Sequence, residues 1–120
     1  METLYNRIGE ERLTLLVDTF YEKIINHSSI SSLFQSDIEL VKEKQFMFLS
    51  QFLGGPQLYS EKYGHPKMRA RHMSHKIDDT AKDEWLKCMK ASIDTLDLET
   101  DLAEALYNCF PKVAQHMVNR

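Results

Sequence analysis

Five histidines, two cysteines and a few hydroxyl, amide and indole groups set among apolar neighbours are the side chains of this 120-residue chain best suited to holding a metal or a small ligand. Three of the histidines, His65, His72 and His75, crowd into the segment Gly64-His65-Pro66-Lys67-Met68-Arg69-Ala70-Arg71-His72-Met73-Ser74-His75. His72 and His75 are three apart, near one face of a helix, a spacing that two ligands of one metal ion could use. A structural zinc wants four ligands, and no Cys-x-x-Cys or acidic partner lies close by. The segment also reads as a basic turn whose histidines serve solvent and helix caps. A third chemistry is haem binding, which needs one axial imidazole, an apolar slot and cations for the propionates. His72 with Lys67, Arg69 and Arg71 beside it supplies the first and the last. Spacing alone leaves all three readings open.

The elements that must position these groups are helices. In the first long segment Leu13, Leu16, Val17, Phe20, Tyr21, Ile24 and Ile25 fall on one stripe at three- and four-residue spacing. The turn-forming run Asn26-His27-Ser28-Ser29 ends it, and a short piece around Ile30 to Phe34 follows. Ser36 or Asp37 can cap a second helix, whose stripe is Ile38, Val41, Gln45, Phe48, Leu49 and Phe52. Gly54-Gly55-Pro56 stops that helix, and residues 57 to 66 read as irregular and polar. A short basic helix is expected over Pro66–Met73. Asp78 or Asp79 can cap a third long helix carrying Trp85, Cys88, Met89, Ser92, Ile93 and Leu96 on one face. The last helix has Leu102, Ala105, Leu106, Cys109, Phe110, Val113 and Met117 on its stripe, with Pro111 inside it as a kink or break. No repeat or linker is present, and the pattern reads as one all-α domain.

Composition narrows the function. Fifteen Lys and Arg against eighteen Asp and Glu give a formal net charge of −3. That balance argues against nucleic acid or an anionic membrane as partner, since both need a concentrated positive field. No run approaches the roughly 18 apolar residues of a membrane span. The opening METLYNRIGEERL carries charges where a signal peptide has an apolar run, so a cytoplasmic location is expected. In that compartment Cys88 and Cys109 are expected to be reduced thiols, packed inertly on their helix stripes.

Tyr21, Gln45 and Trp85 each bring a hydrogen-bond donor to a stripe that should face inward, and they come from three different helices. One such residue usually finds a backbone acceptor. Three could converge on a small bound ligand that accepts hydrogen bonds, and dioxygen held on haem develops the negative charge such donors stabilise.

The chain closely resembles the group II (O-type) truncated, two-over-two haemoglobins of bacteria. The resemblance rests on Ile8-Gly9, Asp18-Thr19-Phe20-Tyr21, Leu33-Phe34, Phe52-Leu53-Gly54-Gly55-Pro56, Tyr59, Gly64-His65-Pro66, Met68-Arg69-Ala70-Arg71-His72 and Asp83-Glu84-Trp85-Leu86-Lys87-Cys88-Met89. The Gly-Gly-Pro stop, the Arg-x-Arg-His segment and a Trp thirteen positions beyond that His are specific in combination. The resemblance implies an all-α, globin-like two-over-two helical sandwich, a single domain over residues 1–120, binding haem b (iron protoporphyrin IX). It implies His72 as the proximal iron ligand, Tyr21 as the distal tyrosine and Trp85 as the group's characteristic tryptophan. It further implies Phe34 as the aromatic that wedges the porphyrin, Val41 and Gln45 as the two distal positions on the fourth globin helix, and Arg71 and Tyr59 as propionate contacts. Two positions depart from the family. Val41 cannot hydrogen-bond a ligand, which leaves that task to Tyr21, Trp85 and Gln45. His75 stands where relatives often have Phe, and is expected to meet a propionate or solvent.

The function so implied is a globin that binds dioxygen and other diatomic ligands reversibly and releases dioxygen slowly. The alternative is a haem-dependent redox enzyme acting on nitric oxide or peroxide with an external reductase or thiol reductant. Both use the same donors. A third class, a haem-free helical interaction module, would lack the Soret absorption of haem.

Overall fold

The computed structural model of the protein describes residues 2–27, 37–64 and 77–118. Over these residues it has seven helices and no strand: α1 (Leu4–Ile8), α2 (Glu10–His27), α3 (Ile38–Phe52), α4 (Leu58–Tyr63), α5 (Asp79–Asp94), α6 (Thr100–Tyr107) and α7 (Pro111–Met117).

The long helices begin where short polar side chains can satisfy free backbone N–H groups. Asp37 accepts from the N–H of Glu39 at 3.1 Å and of Leu40 at 3.4 Å. Asp78 accepts from the N–H of Ala81 at 2.9 Å. The expected helix around Pro111 is two helices, with Pro111 opening α7 at a position where its missing N–H costs nothing.

Two short helices were not legible as such. α1 is only five residues long and is held by its surroundings: the Thr3 hydroxyl accepts from the Asn6 N–H, and the Arg12 guanidinium donates to the carbonyls of Ile8 and Arg7, both at 2.7 Å. α4 replaces the irregular stretch expected over 57–66. Its capping partner comes from another helix: Gln51 of α3 donates to the Ser60 hydroxyl at 2.8 Å and accepts from the Ser60 N–H at 3.0 Å.

Packing sets the architecture. α2 lies against both α3 and α5, and α5 lies against α6 and α7, so an α2–α3 layer meets an α5–α7 layer. The core between them is Leu13, Leu16, Val17, Phe20, Tyr21 and Ile24 of α2 with Cys88, Met89, Ser92 and Ile93 of α5, closed by Leu106 and Phe110. Ile25, expected on the same stripe, is 41% exposed in the last turn, where Ile24 takes the inward place. Cys88 is a buried free thiol and Cys109 a half-buried one. No helix among the described residues is long and apolar enough to cross a membrane.

Candidate functional site

The stripe of α3 divides in two. Leu49 and Ser50 are buried, whereas Val41, Gln45 and Phe48 are only half-buried and Phe52 is 37% exposed. The expected single inward stripe is thus two lines. One closes the core with α2, and the other leaves an apolar, aromatic face partly open. Phe48 and Phe52 stack on that face, with centroids 5.5 Å apart and planes 18° apart. Tyr59 of α4, itself buried, meets Phe48 edge-on at 6.3 Å.

The polar residues on the inner faces fall into two kinds. The fully buried hydroxyls of Ser92, expected on its stripe, and of Ser50, which was not, donate to the carbonyls one turn back, Cys88 and Phe46, each at 2.8 Å. Their hydrogen-bonding capacity is spent locally. Gln45 and Trp85 differ: among the described residues the Gln45 amide and the Trp85 indole N–H have no hydrogen-bond partner. Both side chains are half-buried.

Tyr21 is 3% exposed, on the inner face of α2. Burial raises its phenol well above the usual tyrosine range, because the phenolate would lose its hydration. The hydroxyl therefore stays protonated and able to donate throughout the neutral range. One ring connects it to the indole: Phe20 meets Tyr21 edge-on at 5.0 Å and Trp85 at 5.1 Å. Trp85 also meets Phe110, at 5.7 Å.

Of the residues expected at the site, Tyr21 and Trp85 are thus joined through Phe20. Val41 and Gln45 share the partly open face of α3, and Tyr59 closes onto that face through Phe48. His72, Arg71 and Phe34, together with His65 and His75, lie outside the described residues. Phe20, Phe48, Phe52 and Phe110 shape the site and were not foreseen in that role. The adjacent Phe20-Tyr21 pair and the four-residue spacing of Phe48 and Phe52 were the available signals. A partly open aromatic face flanked by unspent N–H donors fits a flat, apolar cofactor that carries a small polar ligand.

Comparison with known proteins agrees with this fit. The family model for bacterial-like globins matches residues 3–119. The group 2 truncated haemoglobin YjbI of Bacillus subtilis (strain 168) is 46% identical over 116 residues, covering 97% of this chain and 88% of that protein. The crystal structure of a truncated oxygen-avid haemoglobin from Bacillus subtilis superposes with a TM-score of 0.93 at 45% identity, over 98% of this chain and 100% of that one. The group II truncated haemoglobin from Bacillus anthracis gives a TM-score of 0.94 at 38% identity, over 99% and 92% of the two chains. The chain belongs to the bacterial-like globin family, and within it to the group II truncated haemoglobins. Its two-layered helical fold is that of these neighbours, and membership makes it a haem-binding globin.

Proposed function

We propose that this globin holds haem b through His72, binds dioxygen and other diatomic ligands reversibly, and releases dioxygen slowly. Haem, when bound, supplies the iron on which a diatomic ligand sits. The rest is the work of the chain's own residues. Within this reading Phe34 wedges the porphyrin, while Arg71 and Tyr59 contact the propionates. The Phe48–Phe52 face excludes water from the cofactor.

The observation that carries the slow release is the donor set: a buried Tyr21 phenol kept protonated, with the unspent N–H groups of Trp85 and Gln45 on the two helices packed against it. Val41 contributes volume and no hydrogen bond. Donors aimed at developing negative charge in a dry pocket contribute about 1.5–3 kcal/mol each. Since 1.4 kcal/mol is about tenfold in rate, two such bonds slow release by more than about a hundredfold. A site that retains its ligand so firmly suits scavenging or sensing better than shuttling.

Stopped-flow displacement of dioxygen from the ferrous protein tests this. Tyr21→Phe should accelerate dissociation by at least about tenfold. An unchanged rate would mean that the hydroxyl does not reach the ligand. Rapid haem-dependent consumption of nitric oxide or peroxide with an external reductant would move the assignment to a redox enzyme.

A further inference from the structure

The indole of Trp85 can direct its N–H only if the ring plane is fixed. The last torsion of a tryptophan side chain has broad, shallow preferences, so packing must supply the restraint. Two rings do so from different elements. Phe20 of α2, 1% exposed, stands 5.1 Å from the indole with planes 62° apart. Phe110, 2% exposed, stands 5.7 Å away with planes 59° apart. The Phe20 contact is edge-to-face and the Phe110 contact tilted, both at centroid separations where aromatic rings attract.

Phe110 owes its position to the break between α6 and α7. Its N–H donates to the Tyr107 carbonyl at 3.0 Å, and its own carbonyl accepts from the Ala114 N–H at 2.9 Å. Pro111, the next residue, cannot extend α6 and fixes its own φ. The break therefore seats one aromatic ring against the indole. Phe110 also meets Phe52 of α3 at 6.1 Å, which ties it to the aromatic face.

We propose that Phe110 is a positioning residue: with Phe20 it clamps the Trp85 indole, and the α6–α7 break exists in this chain to aim that clamp. Phe110 acts through Trp85 and touches no ligand. Phe20 cannot be tested as cleanly, because it also touches Tyr21. The effect on ligand release rests on the reading of Trp85 as a donor; the clamp itself does not.

Trp85 is the only tryptophan of the chain, so its ultraviolet resonance Raman spectrum reports this one indole. In the haem-loaded protein the band sensitive to the side-chain torsion should be single and narrow. A broad or split band would overturn the clamp without recourse to any variant. Phe110→Leu should shift or broaden that band and speed dioxygen release by about fivefold. Phe110→Leu added to Trp85→Leu should speed release no further than Trp85→Leu alone. Effects that multiply in the double variant, or a band that Phe110→Leu leaves in place, would overturn the proposal. If Trp85→Leu leaves release unchanged while the band still moves with Phe110→Leu, the clamp stands and the donor role of Trp85 falls.

Discussion

The ring of Tyr5 lies so close against Gly55 that a Cβ added to the glycine would stand 2.5 Å from the ring's Cγ. The first helix is thereby seated on the end of α3, where the Tyr5 N–H donates to the Leu53 carbonyl at 3.0 Å. Gly55 is needed here for space. Gly54 beside it has a φ of 95°, which an L side chain rarely adopts. Gly55→Ala should force the tyrosine away and cost about 1–3 kcal/mol, the usual cost of overpacking. Chemical denaturation of Gly55→Ala and of Gly55→Ala with Tyr5→Ala would check this. The alanine should cost clearly less once the ring is gone, and equal costs would show that the ring gives way freely.

How much of this could be seen in the chain beforehand follows from the range of the forces involved. The long helices were legible because their period, their caps at Asp37 and Asp78, and the Pro111 break are local. α1 and α4 were not, because their free backbone groups are satisfied from elsewhere, by Arg12 and by Gln51. At the site, Tyr21, Gln45 and Trp85 stood out as donors on apolar stripes, and Ser92 looked much the same. Only the packed structure separates Ser92, which bonds its own helix, from Trp85, which does not. That Phe20 touches both Tyr21 and Trp85 depends on how α2 crosses α5, which no single helix encodes.

The Gln51–Ser60 pair gives a local test. Gln57, which precedes α4, makes no side-chain cap, so Gln51 answers one of the N–H groups left open at the helix start. Gln51→Ala should cost about 1–2 kcal/mol and act mainly on α4. Hydrogen exchange should quicken at the amides of residues 60–63 well before those of α5 are affected. Uniform acceleration across all helices would instead make the pair a global support.

His72→Ala tests the proposed axial ligand. The variant should keep its helical circular dichroism yet lose haem on gel filtration, and added imidazole should restore a Soret band. His75→Ala should retain haem. If the two results were exchanged, the iron ligand would be His75.

The buried phenol of Tyr21 predicts a particular alkaline behaviour. Unfolded, this tyrosine loses its proton near an ordinary pKa of about 10. Folded, it keeps the proton to higher pH, because burial penalises the phenolate. Between the unfolded and the raised folded pKa the folded state holds more protons than the unfolded state, so stability falls as pH rises through that window and is undiminished below it. One such group removes about 1.4 kcal/mol per pH unit once the unfolded phenol is ionised. Urea midpoints of the ferrous carbon monoxide form between about pH 8 and pH 11.5 should therefore drop more steeply for the native chain than for Tyr21→Phe, since only the native phenol can titrate. Parallel curves would mean that the Tyr21 hydroxyl ionises as easily folded as unfolded, and that the pocket around it is wet.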